Sequence, residues 1–165
     1  MTSKRALVAA IVAQISDEID TMARLAKDAA DAATHEENKP ENDKDMRSTE
    51  ASYLARGQAA RVAELSAALA QLQAMELHDF AEGEAIGVSA LVELQSKTGT
   101  STCFVVPAGG GRKVRLTGER ERALEVQTTT PTSPLGEALV GLAAGDEAEV
   151  ETPQGVRTWM VLQVR

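Results

Sequence analysis

Six carboxylates, Glu36, Glu37, Glu41, Asp43, Asp45 and Glu50, crowd into fifteen residues around Pro40. Carboxylate oxygens are hard donors of the kind Mg²⁺ and Ca²⁺ take, and a metal so held can orient a water for attack on a phosphodiester. The plainer reading is a solvated turn, where Asp, Glu, Asn and Pro are common. His35 beside Glu36 has no second His or Cys nearby and reads as a surface or helix-end residue rather than a metal ligand. The single cysteine, Cys103, lies in an apolar run and reads as a buried, inert thiol. "AGGGRK" at 108–113 lacks the GxxxxGK[ST] spacing of a phosphate loop and reads as a hairpin turn.

The elements that must position these groups follow from patterning. From Ser3 to about Ala33 there is no Pro or Gly, and Val8, Ile11, Ile15, Ile19, Met22, Leu25 or Ala26, Ala29 and Ala33 recur every three or four residues. That is one apolar stripe on a helix, with Ser3 a candidate N-cap. A second stripe starts near Ser48 and Thr49, which suit caps, and runs through Ala51, Tyr53, Leu54, Gln58, Val62, Leu65, Leu69, Leu72 and Leu77. Two such helices, each about 45 Å long, bury their stripes against each other as an antiparallel hairpin, with Tyr53 packing near Ala33. The carboxylates then sit at the hairpin's tip.

After Phe80 the period changes. "AIGVSALVELQ", "STCFVVP", "GRKVRL" and "ALEVQTT" read as strands separated by turn chemistry, and "SPLGEALVGLAAGD" as a helix capped by Ser133, with Pro134 at its first position and Gly145 near its end. "EAEVET" and "VRTWMVLQV" form a hairpin about "PQG", with Trp159 in the sheet core and His78 in the linker. The expected fold is α+β: an antiparallel coiled-coil domain over 1–79, and an antiparallel sheet with one short helix over 80–165.

Composition limits the function classes. The net charge of −8 and pI near 4.8 argue against direct binding to a phosphate backbone. No run is long and apolar enough for a membrane span, and Gln14, Asp17 and Glu18 interrupt the N-terminal apolar stretch, so no signal peptide is read. One cysteine fits a reducing cytoplasm.

Two stretches resemble the bacterial Gre family of transcript-cleavage factors. "TSPLGEALVGLAAGDEAEVETPQG", from Thr132 to Gly155, is similar to that family's Ser-Pro-(Leu/Ile)-Gly run in its FKBP-like C-terminal domain. "STEASYLARGQAARVAEL" is similar to its second coiled-coil helix, through Ala51, Tyr53, Ala55 and Gln58. The resemblance implies a factor that binds RNA polymerase, its C-terminal domain at the rim of the secondary channel and its hairpin inside. On that reading Tyr53, Ser133, Pro134, Leu135 and Gly136 contact polymerase. Asp43, Asp45 and Glu50 help hold a Mg²⁺ shared with polymerase, and Asp45 and Glu50 assist cleavage of backtracked RNA. The protein would have no cofactor or active site of its own, and would be a cytoplasmic monomer touching RNA and DNA only through the complex. The family's paired acids align with Met46 and Thr49, with Asp45 and Glu50 each one residue away. A non-cleaving channel regulator is therefore the alternative. A peptidyl-prolyl isomerase needs an aromatic-lined pocket, and residues 81–165 offer only Phe104 and Trp159. A coiled coil pairing with its own copy is a further rival.

Overall fold

The computed structural model describes the backbone of residues 4–36, 44–117 and 123–165, and the side chains of residues 4–32, 50–116 and 124–165. Helix α1 spans Lys4–Glu36 and α2 spans Lys44–Gln73. The strands are β1 Leu91–Ser96, β2 Gly99–Val105, β3 Lys113–Thr117, β4 Ala123–Thr129, β5 Glu147–Thr152 and β6 Gly155–Val164, with α3, Pro134–Leu139, between β4 and β5. The chain divides into two compact units, one formed by residues 68–165 with the start of α1 up to Val12, the other by Ala13–Ala67.

Both long helices lie where the apolar period put them, but each stripe is covered over only part of its length. In α1, Leu7, Ile11 and Ile15 are fully buried; Leu7, not the neighbouring Val8, leads the stripe. In α2, Leu65 and Leu72 are buried and Val62 and Leu69 half-buried, a heptad spacing. Within Ala13–Ala67, Arg61 Nη2 donates to Glu18 Oε1 at 3.0 Å, which joins the two helices. Beyond Met22 and before Gln58 every described side chain is exposed, including Leu25, Tyr53 and Leu54. Tyr53, 69% exposed, therefore does not pack into the hairpin as its place near the stripe suggested. Periodicity marks the face a helix can bury, and no neighbour covers it there. Helix α2 starts at Lys44, so Ser48 and Thr49 lie inside it rather than capping it.

Residues 68–165 carry a six-stranded sheet of order β3-β4-β2-β1-β6-β5. Four pairings are antiparallel, as the sequence led us to expect, but β2 and β4 run parallel, Thr102 opposite Val126 through Val105 opposite Thr129, so the sheet is mixed. The connection from β2 passes β4's position before β3 returns to pair with β4. "AGGGRK" is consequently a crossover between strands that are not neighbours, not a hairpin turn. Buried Thr128 holds it: its Oγ1 donates to Gly109 O and accepts from Arg112 N, both at 2.9 Å.

Two further expectations are shortened. Strand β1 starts only at Leu91, because Ser89 takes a left-handed φ of 71° and turns the chain. Helix α3 ends at Leu139, and Val140 is already extended, so Gly145 lies well outside it. Ile86, Ala90, Val92, Leu94, Cys103, Val105, Leu139, Ala148 and Val161 form the buried core, with Leu135, Ala138 and Trp159 packed on it.

Candidate functional site

The start of α3 is built by a small polar network. Ser133 is extended (φ −80°, ψ 154°), accepts from Gly136 N through Oγ, and donates Oγ–H to Thr130 O at 2.8 Å. Pro134 occupies the first turn, where no backbone N–H is needed. A Cβ on Gly136 would stand 1.8 Å from Thr130 O, so the close approach of the two backbones requires glycine. Of the four residues at the start of α3 read as polymerase contacts, Ser133 and Gly136 thus have structural tasks. Leu135 packs on the core, and Pro134 is exposed.

At the other candidate region, Asp43 lies outside the described residues. Asp45 falls in the first turn of α2, and Glu50 is exposed further along the same helix. Five residues along one helix separate two positions by about 140° around its axis. The fold therefore does not bring these two positions to one side of α2. Among the described residues no group of three His, Cys, Asp or Glu could hold a metal ion.

Sequence reasoning missed a clasp between α1 and the linker. Lys4 Nζ donates to His78 O and lies 4.8 Å from the Phe80 ring centre. His78 meets Phe80 edge-on, pairs with Glu84 through Nε2 and Oε1 at 2.6 Å, and its backbone N–H donates to Ser89 Oγ. The Ala81 N–H, then the His78 ring, hold the Glu84 carboxyl below its usual range. Burial lowers Lys4, partly offset by Asp79. Four residue types spread over 81 positions leave no periodic signal, so only the fold reveals the group. Burial alone pushes the Cys103 thiol up to about 12, which removes it as a nucleophile at neutral pH.

Phe104 is fully buried, and Trp159 packs on the core as the single aromatic side chain lining the groove beside Gln95 and Met160. No described helix is long and apolar enough to cross a membrane. The fold is thus a helical hairpin followed by a mixed sheet with one short helix. Residues 86–165 match the family model described as "Transcription elongation factor, GreA/GreB, C-term". The chain is 33% identical over 105 residues to transcription elongation factor GreA of Syntrophobacter fumaroxidans, covering 64% of this chain and 61% of that one. It is 35% identical over 91 residues to GreA of Hyphomonas neptunium, covering 54% and 58%. The chain spans about three-fifths of the length of these relatives. The crystal structure of GreA factor homolog 1 (Gfh1) of Thermus thermophilus is 17% identical, with 93% of this chain and 94% of that one covered and a TM-score of 0.38.

Proposed function

We propose that this protein is a transcription elongation factor that acts on RNA polymerase in the cytoplasm, with the helical hairpin entering the secondary channel and the sheet domain docking outside it. The match of residues 86–165 to the GreA/GreB C-terminal family supports this reading most directly. A hairpin whose distal turns expose Leu25, Tyr53 and Leu54 is consistent with a segment covered only in a complex. Polymerase supplies the chemistry, and this chain supplies position.

Two versions differ in whether RNA cleavage is stimulated. The placement of Asp45 and Glu50 on one helix, about 140° apart, favours the version that regulates by occupying the channel. In the cleaving version Asp43, Asp45 and Glu50 would face a Mg²⁺ shared with polymerase.

The test uses stalled, backtracked elongation complexes supplied with Mg²⁺. Binding with unchanged transcript length supports the regulator. Shortened transcripts that return to full length with Asp45→Ala and Glu50→Ala establish cleavage instead. No binding to polymerase refutes both.

A further inference from the structure

The sheet has one face covered by α3 and the core, and one that no described element is seen to cover around β5 and β6. Alternation along β6 sets Val156, Thr158, Met160 and Leu162 on the open face, and the three apolar ones are 60%, 42% and 40% exposed. On one flank, the register puts Glu147, Glu149 and Glu151 of edge strand β5 opposite Met160, Thr158 and Val156. On the other, β1 contributes Gln95, opposite Met160, and Glu93 beyond a bulge. An apolar stripe thus runs between carboxylates. At the sheet's other edge Glu125 is paired with Lys113 and Arg115, whereas no ion pair among the described residues engages Glu147, Glu149 or Glu151. Gln95, Glu147, Val156, Thr158 and Met160 also line a groove, whose cations are Lys97 in the β1–β2 turn and Arg157.

We propose that this face is a docking surface for a basic amphipathic helix of a protein partner. Its aliphatic side chains would cover Val156, Met160 and Leu162, and its Lys and Arg would reach the carboxylates on either flank. From Val156 to Leu162 there are six steps of strand, at about 3.4 Å each, a stripe of about 20 Å. That length matches roughly fourteen residues of helix. Charge selects the occupant: a second copy of this chain, at net −8, is repelled by the same carboxylates that attract a basic partner. The carboxylates of β5 also oppose pairing of another acidic strand with that edge. Because Leu135 and Ala138 of α3 pack on the core face, this surface is separate from the α3 start and does not depend on the channel reading.

The test titrates the full chain with a synthetic helical Leu/Lys peptide of about fourteen residues, and with a matched Leu/Glu peptide, by calorimetry and by amide shifts in the NMR spectrum. The Leu/Lys peptide is expected to bind and to shift the amides of β5 and β6, and the Leu/Glu peptide to do neither. Glu147→Lys, Glu149→Lys and Glu151→Lys together should weaken binding roughly tenfold or more, and Val156→Ser with Met160→Ser should do likewise. Asp17→Lys, Asp20→Lys and Asp28→Lys, on exposed positions of α1, make the same charge change elsewhere and should cost less than about threefold. Circular dichroism verifies that each variant is folded. Equal losses in both charge-reversed variants would reduce the effect to bulk charge and overturn the proposal. So would shifts confined to the outer edge of β5, which indicate strand addition, or self-association of the chain abolished by the serine pair, which indicates a second copy.

Discussion

Leu65 and Leu54 stand eleven residues apart on α2, about 1,100° of rotation, and so project from nearly the same face of the helix. Leu65 is 3% exposed and Leu54 is 64% exposed. Helix α1 shows the same division: Ile15 is fully buried and Leu25 is 56% exposed. One sequence pattern therefore does two jobs along one pair of helices. Near Leu65 the stripe is core, and burial stabilises it. Near Leu54 the helix gains nothing from its apolar face in the free protein, and that face remains available to a partner.

The comparison breaks first at Leu65. Leu65→Ala should lower unfolding free energy by about 2–5 kcal/mol, the usual cost of truncating a buried leucine. Denaturant titration followed by helical circular dichroism measures it. A loss under about 1 kcal/mol would mean that the two halves of α2 are equally unsupported.

Helical glycines sharpen the same contrast. Gly136, in α3, has Thr130 O in the space a Cβ would fill, so Gly136→Ala should destabilise by about 3 kcal/mol as the backbones are forced apart. Gly57, in the exposed part of α2, has nothing within 4 Å of that space. Gly57→Ala should therefore stabilise by about 0.5–1 kcal/mol, since it only restricts the unfolded chain and favours the helix. Opposite signs in the two thermal shifts are the expected result.

What the sequence made legible follows from how local each determinant is. Helix α1, α2, the Ser133 cap and the strands of the second half are written in period and turn chemistry, so they fall close to their expected places. The parallel β2–β4 pairing is not, because nothing local distinguishes a turn that pairs its flanking strands from a crossover that skips one. The clasp of Lys4, His78, Phe80 and Glu84 was invisible for the same reason, being assembled from the ends of a long separation. Exposure of Tyr53 and Leu54 was equally hidden, since amphipathicity names a face and not its partner. For the tip, residue identity was plain, but the start of α2 at Lys44 decides the angular spacing of Asp45 and Glu50.

Leu54→Ala completes the pair with Leu65. Its effect on stability should stay within about 0.5 kcal/mol, because the side chain is already in water. Its effect on polymerase binding should be larger than its effect on folding, if the distal turns are covered in the complex. Equal, negligible effects on both would remove the distal stripe from the proposed interface.

The smallest effect contrasts the two edges of the sheet. Hydrogen bonds from Arg115 and then Lys113 hold the Glu125 carboxyl below its ordinary range. A carboxylate whose folded value lies below its unfolded value of about 4.3 contributes its stability fully above that pH, and loses it as pH falls through the folded value. Glu125 is exposed, so water and salt screen the pair and the contribution is minor. Thermal melts from neutral pH down into this acid range should show a slightly shallower decline for Glu125→Gln than for the native chain, and added salt should narrow the gap further. An identical decline in the two proteins would mean that Lys113 and Arg115 exert no net pull on Glu125, and the basic edge would then differ from the acidic one only in sign.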